Sequence, residues 1–498
     1  MALIRKSNYD GSSGKRGRNK VRVVFRRMTM GIAAFLILIG ILMGTVGNLG
    51  HKSYLAALLG AGILVGGLAF LREKSILSGA WLSQRSPFRI CLLLTVLCLV
   101  LNGAWVMVFH PVQAPDYQTF YQAASDLACS CPLTGKDYIA LFPHILGYAA
   151  FLSIFFRLFG ESLMTAAIVN VLLTTTSGIL LYALCFRYYG RKAAFMAFFL
   201  WVICPSKLLY NAMTLSEPFY TCLLLLFLLL VSETMDVALG KGNLGRITVA
   251  GILSGLVLAM VNASRPIGIV PIIAFFVWLL FLSDWHEIRI RKTKVFLFAG
   301  MLLMSYIVAG CLWKSYAAAH LEQEPSSVPG YSIYVGFNSE TQGSYADEDM
   351  DLLQDRYFGE YDRNAEAAQQ SMLESAKKRI SENRDGIPHL MLQKLGTLLG
   401  HDEGGAFYSK ESLSDGAYSA WCMISNVWYY FVCIVAIAGC LRLWKQARSD
   451  SILIVPLCMI GVILAQMLVE VAARYHYCLI PLLLLLTGSV LEGIKKEA

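Results

Sequence analysis

The sequence predicts an all-α integral membrane protein, and three observations carry that prediction. Of 498 residues, 57% are hydrophobic and 15% charged, where a soluble domain has about 25% charged residues. The apolar excess is gathered into runs of roughly 17–24 residues, each long enough to cross a hydrocarbon core about 30 Å thick. Lysines and arginines stand in short clusters at the ends of those runs, where they set orientation. The net charge of +9 is therefore accounted for by topology, and no nucleic-acid partner is expected.

Residues 5–27, "RKSNYDGSSGKRGRNKVRVVFRR", are polar, basic and Gly/Ser-containing, and read as a cytoplasmic tail within 1–29. The run after them lacks a small-residue cleavage site and a second run follows at once, which argues against a removable signal peptide. Spans are expected at 30–49, 53–71, 90–109, 163–186, 193–210, 217–232, 247–262, 267–283, 295–313, 420–441, 452–469 and 475–491, about twelve in all.

The stretch 138–160, "YIALFPHILGYAAFLSIFFRLFG", is apolar enough to raise a question that parity answers. If it crossed, the basic loops 187–192 and 288–294 would fall outside, against the positive-inside bias. Read as an outer juxtamembrane or re-entrant helix, it leaves the basic loops 187–192, 241–246, 284–294 and 442–448 and the C-terminal "KKEA" inside. Both termini are then cytoplasmic. The expected division is a tail (1–29), a transmembrane hairpin (30–87), a core (88–313) with a first outer loop (110–162), a loop domain of roughly a hundred residues (314–417) and C-terminal helices (418–498).

Most of the thirteen cysteines lie in apolar runs, where they act as small hydrophobes. Cys129 and Cys131 lie in a polar loop; one residue apart, they would close a strained ring, so a mutual disulfide is possible but not favoured. No C-x-x-C pair or H-E-x-x-H suggests zinc.

The outer face assigned by parity collects Asp116, Asp126, Glu217, Arg265, Glu470 and Arg474. Each alone reads most simply as a solvated helix end, but together they come from four separate places in the chain. Asp116 and Asp126 stand ten residues apart, close to three helical turns, so both could lie on roughly one face. Tyr117, Phe120 and Tyr121 between them suit the headgroup region. A partly desolvated carboxylate gains basicity and suits general-base work; it could equally hold a divalent cation against a phosphate, with Asp116 as ligand and Mg2+ or Mn2+ as the ion. Ser216 and Glu217 precede Pro218 at a helix start, which fits an N-cap as well as an acid aimed at the first loop. Arg265, Arg474 and, less strongly, His476 border spans; arginine matches phosphate oxygens bidentately, although a boundary arginine can also be a snorkelling anchor. The acidic run Asp347, Glu348, Asp349 and Asp351 lacks the D-x-D-x-D-G pattern of a calcium loop and reads as a solvated face. No Walker loop, dinucleotide fingerprint or G-x-S-x-G elbow occurs, so any chemistry must draw on an energised lipid or a dissolved substrate.

In this order the residues resemble a family. A long span, an outer loop with an early Asp and then "LFPHILGYAAFLSIFFRLFGES" (141–162) resemble the opening of GT-C-type membrane glycosyltransferases, relatives of protein O-mannosyltransferases and lipid A aminoarabinose transferases. "LSEP" (215–218), "SRP" (264–266) and "ARY" (473–475), followed by Pro481, are similar to segments at matching places in bacterial members. "VGFNSETQGSYADED" (335–349) resembles an outer-loop segment of some Gram-positive ones. The likeness covers about residues 88–491, with the hairpin 30–71 as an addition.

The resemblance implies a GT-C-like fold and transfer of a sugar from a polyprenyl-phosphate carrier to an outer-face acceptor in the cell envelope of a plasma membrane. Asp116 would match the catalytic or metal-coordinating acid, Glu217 a second acid, and Arg265 and Arg474 donor-phosphate contacts. His476, Asp126, Tyr117 and Glu470 would be accessory. Many relatives carry paired acids in the first loop; here Tyr117 follows Asp116, which puts a metal in question. On this reading Asp116 takes the acceptor proton, positive groups assist departure of the lipid phosphate, and direct displacement inverts the anomeric centre. Two rival classes remain: a transporter or flippase, which should show mid-span ionisable residues and internal repeats, and a non-catalytic assembly factor that depends on 314–416.

Overall fold

A computed structural model describes residues 12–47, 52–73, 84–235, 243–446 and 451–491. Tail residues 1–11, residues 241–242 of the basic loop 241–246, part of 442–448 and the C-terminal "KKEA" lie outside the described residues. Among the described residues all regular structure is helical. Ten helices among the described residues are long and apolar enough to cross a membrane: Lys20–Gly47, Ser53–Phe70, Pro87–Val108, Leu163–Tyr189, Glu217–Met235, Leu244–Ser264, Lys292–Leu321, Asp415–Lys445, Ser451–Leu468 and Ala473–Leu491. These correspond to ten of the twelve expected spans. The other two are a pair of helices, Arg191–Val202 and Pro205–Asn211, bent by 55°, and a shorter apolar helix, Ile269–Leu282. The bend falls where Pro205 lacks the N–H that would continue the helix. The protein is a multi-pass membrane protein.

Local chemistry sets the helix starts. Ser86 caps Pro87–Val108 by accepting from the Arg89 amide, and Ser162 caps Leu163–Tyr189 through the Thr165 amide. Asn243 and Ser414 do the same for Leu244–Ser264 and Asp415–Lys445, each satisfying one otherwise orphaned amide.

The ambiguous stretch 138–160 is two helices, Lys136–Leu141 and His144–Phe159, parted at Phe142–Pro143. Sixteen residues in the second give about 24 Å of helix, less than a perpendicular crossing needs. Phe120 packs on Tyr148, and Tyr121 on Phe156, so this helix lies alongside Pro115–Cys129.

The hairpin 12–73 is built into the molecule. Gly40 and Gly44 face Leu399 and Gly400, and Gly396 faces Met43 and Gly44, so closely that a Cβ at Gly44 would stand 2.4 Å from the Gly400 Cα. Small residues four apart on both helices are what allow this approach. From the second helix of the hairpin, the Tyr54 hydroxyl donates to Glu403 at 3.0 Å.

The segment 314–417 folds into helices Gly330–Gly336, Asp347–Asp355, Ala365–Glu382 and Ile387–Leu399. Within the acidic run, Asp349 is taken up by Arg379 at 3.0 and 3.2 Å and by Asn338 at 3.0 Å. This segment grips the chain between the last two spans. The Lys394 ammonium donates to the carbonyls of Gly336 (2.8 Å), Met467 (2.9 Å) and Val469 (2.6 Å). The Glu470 and Val471 amides donate to Ser332 and Gly343. Contrary to the expectation from spacing, Cys129 and Cys131 are bonded to each other: the chain reverses at Ser130 in the left-handed region (φ 58°) and brings the two together.

Candidate active site

Asp116, Glu217, Arg265 and Arg474 meet in one cluster. Asp116 stands in the first turn of Pro115–Cys129, and Glu217 in the first turn of Glu217–Glu233; an anion is favoured at both places by the helix dipole. Arg265 terminates Leu244–Ser264. A Cβ at Gly147 would strike the Ala263 carbonyl at 2.2 Å, so glycine there lets His144–Phe159 close on the turn that presents Arg265. Arg474 lies in a short 3-10 turn, Ala473–His476.

The Arg265 Nη2 donates to Glu217 Oε1 at 2.6 Å; Arg474 Nη2 donates to Asp116 Oδ2 at 2.6 Å, and Arg474 Nε lies 3.8 Å from Glu217 Oε1. The Glu217 carboxylate thus sits between the guanidiniums with its side chain 1% exposed, while the Asp116 side chain is 48% exposed. Glu217, expected as a second catalytic acid, is buried and paired with both arginines. The Nε atoms of both arginines are buried without a hydrogen-bond partner, that of Arg474 within ion-pair distance of Glu217.

Aromatic rings hold the cations in place. The Arg474 guanidinium lies 5.2 Å from the Tyr408 ring, 5.6 Å from Tyr475 and 5.7 Å from Tyr117; Arg265 lies 4.7 Å from Tyr475. Tyr408 follows the tight turn Gly404–Phe407, where a Cβ at Gly404 would come 2.4 Å from the Tyr210 hydroxyl. Glu470 accepts from the Tyr475 hydroxyl at 3.4 Å. Burial raises the pKa of its carboxyl and neighbouring Asp116 adds to this, while Arg474 and Arg265 oppose it. His144 borders the cluster; burial, with Arg265 second, pushes its imidazole down to about 3, so it is a neutral member of the site. Sequence reasoning missed Tyr408, Tyr475 and His144. Tyr475 stands in the "ARY" segment (473–475), but nothing in the local sequence marks Tyr408.

Two expected residues lie elsewhere. Asp126, ten residues and about 15 Å of helix beyond Asp116, is buried. It accepts from Gln122 at 2.9 Å and from the Thr134 amide at 2.6 Å, and so anchors the loop after its helix. Ten residues turn a helix through about 1000°, some 80° short of whole turns, and the two carboxylates do not share a face. His476, expected near the donor phosphate, is 1% exposed. Its Nδ1 meets the Leu398 carbonyl at 3.0 Å, and its Nε2 meets Asp402 at 2.9 Å; Asp402 also accepts from Ser206 at 2.6 Å. With both ring nitrogens occupied, His476 has none left for a substrate. A second unforeseen group is Lys207, buried beside the bend, which donates to Asn102 at 3.0 Å and to the freed Val202 carbonyl at 3.3 Å.

Among the described residues no three His, Cys, Asp or Glu side chains converge as a ligand set, and the exposed Asp116 carboxylate is paired with Arg474.

Residues 143–313 match the sequence model of the family described as dolichyl-phosphate-mannose-protein mannosyltransferase, about a third of the chain. No curated protein matches the sequence. Among solved structures, the crystal structure of ArnT from Cupriavidus metallidurans bound to undecaprenyl phosphate is similar at 11% identity and a TM-score of 0.37, over 80% of this chain and 77% of that one, a likeness too faint to bear on the site. The segment that supplies His144, Glu217 and Arg265 thus lies within the match to that family, and the protein resembles the GT-C-type polytopic membrane glycosyltransferases.

Proposed function

We propose that this protein moves a sugar from a polyprenyl-phosphate-linked donor to an acceptor hydroxyl of a cell-envelope glycan, lipid or protein at the outer face of the plasma membrane, with inversion at the anomeric carbon. One observation carries the reading: two guanidiniums and an accessible carboxylate meet at the ends of apolar helices. A lipid phosphate needs cations at its headgroup and apolar surface along its tail, and this arrangement supplies both. The outer face follows from the basic loops, which the positive-inside bias assigns to the cytoplasm.

Each residue then has a role. Arg265 and Arg474 hold the phosphate and take up the charge that develops as it leaves. Asp116 accepts the acceptor proton. Glu217 keeps both guanidiniums charged and aligned, and is a positioning residue. The tyrosines fix Arg474. No step is routed through a metal ion.

The test is purified protein offered a panel of polyprenyl-phosphate sugars and membrane-derived acceptors, with consumption of the lipid-linked donor followed. Wild type is expected to consume one donor of the panel, and Asp116→Asn, folded to the same thermal midpoint, to consume none. A wild type inert toward a broad panel, with Asp116→Asn indistinguishable from it in cells, would remove the transferase reading.

A further inference from the structure

The two ion pairs of the cluster are built differently, and the difference has a mechanistic consequence. Glu217–Arg265 is closed from solvent on the carboxylate side. Asp116–Arg474 is open there: the carboxylate side chain is 48% exposed and the guanidinium 11%. Arg474 is fixed by Glu217 beneath it and by the rings of Tyr117, Tyr408 and Tyr475 around it. Asp116 has no comparable restraint; among the described residues Arg474 is its one hydrogen-bond partner. If the pair opens, the carboxylate is the half that moves.

We propose that the Asp116–Arg474 pair is a latch that the donor phosphate opens: the phosphate replaces the Asp116 carboxylate on the Arg474 guanidinium, and the freed carboxylate becomes the base for the acceptor. This rests on the transferase reading above. The exchange is even in charge, because a sugar–phosphate–lipid diester carries one negative charge, as does the carboxylate it displaces. Base and donor are thereby coupled. Without a donor, Asp116 is tied to Arg474 and cannot activate an acceptor or water; with a donor bound, it is released beside the anomeric carbon.

The chemical step balances within the site. The acceptor O–H gives its proton to Asp116 as its oxygen forms the new bond to the anomeric carbon. The bond from that carbon to the phosphate oxygen breaks, with the electron pair leaving on the lipid phosphate, now a monoester. When Asp116 returns its proton to water, its carboxylate again competes for Arg474 and favours release of the lipid phosphate. One side chain is therefore both the base and the competitor of the donor.

That double role predicts an outcome opposite to the usual loss of binding in a site variant. Binding of a short-chain polyprenyl monophosphate to the full-length protein in detergent is measured for wild type, Asp116→Asn, Asp116→Ala and Asp116→Glu. The two variants without a carboxylate are expected to bind about two- to fivefold more tightly than wild type, the span that a half-exposed ion pair can supply, while Asp116→Glu returns toward wild-type affinity. Unchanged affinity in Asp116→Asn and Asp116→Ala overturns the latch. Weaker binding in both overturns it too, and indicates that Asp116 draws the phosphate in, as it would through a shared cation. In either case, loss of transfer by Asp116→Asn leaves the transferase reading standing. If neither wild type nor any variant takes up the polyprenyl phosphate, latch and transferase reading fall together.

Discussion

Replacing Glu217 with glutamine tests the electrostatic core of the site. The amide would keep the shape and one acceptor for the Arg265 Nη2 but lose the charge that offsets two guanidiniums. The pair is 2.6 Å apart between donor and acceptor, with exposures of 1% and 15%. Unit charges about 4 Å apart at an effective dielectric constant near 20 attract by about 4 kcal/mol, and a neutral hydrogen bond returns about 1 kcal/mol of that. A further contribution comes from Arg474, whose Nε is 3.8 Å away. The expected loss for Glu217→Gln is about 2–3 kcal/mol, and for Glu217→Ala about 3–5 kcal/mol, as for other half-deleted buried pairs.

The assay is reversible unfolding in detergent, run as a double-mutant cycle with Arg265→Gln. The expected coupling is about 2 kcal/mol. The same cycle on Asp116 and Arg474 should return about 1 kcal/mol or less, because water screens the exposed carboxylate. Equal coupling in the two cycles, or a Glu217→Gln variant as stable as wild type, would refute the division into one closed pair and one open pair.

Other perturbations separate structural from chemical roles. His144 stays neutral down to about pH 3 in the folded protein, against an ordinary value of 6.5. The unfolded chain therefore binds more protons between those values, and stability should fall as pH is lowered from 6.5 toward 3; His144→Gln should flatten that slope in pH-dependent unfolding. Asp126→Ala should cost about 1–3 kcal/mol by leaving the Thr134 amide and Gln122 unpaired while folded protein still transfers sugar, so loss of turnover without loss of stability would contradict its role as an anchor. Lys394→Met leaves three carbonyls without their donor and should speed hydrogen exchange at the Glu470 and Val471 amides, which pair with Ser332 and Gly343; unchanged exchange would show that Lys394 does not hold that strap.

Much of the architecture is legible in the sequence because hydropathy is a local property. A run of apolar residues is recognisable without knowing its neighbours, and ten of the expected spans recur as long apolar helices. Pro205 marks the bend, and Ser86, Ser162 and Asn243 mark helix starts. Pro143, inside the ambiguous stretch 138–160, is the break that makes two helices of it, which apolar composition alone conceals. The failures concern direction and partnership. Asp126 stands one helix length from Asp116 and turns to the loop behind it, and His476 turns into a pocket made by Leu398 and Asp402. Cys129 pairs with Cys131 because the backbone reverses at Ser130, a conformation that spacing alone does not reveal.

From the sequence alone came the membrane class, the spans and the set of charged residues bordering them, because each rests on composition along a single stretch of chain. The tertiary structure decided which of those charges meet. Asp116 and Arg474 are 358 residues apart, and Glu217 and Arg265 48 apart, so neither pairing has a local signature. It also decided that one carboxylate is closed beneath two guanidiniums and the other is open to solvent. Burial and distance belong to packed helices, and they set the strength of each charge pair and which of its members is free to move.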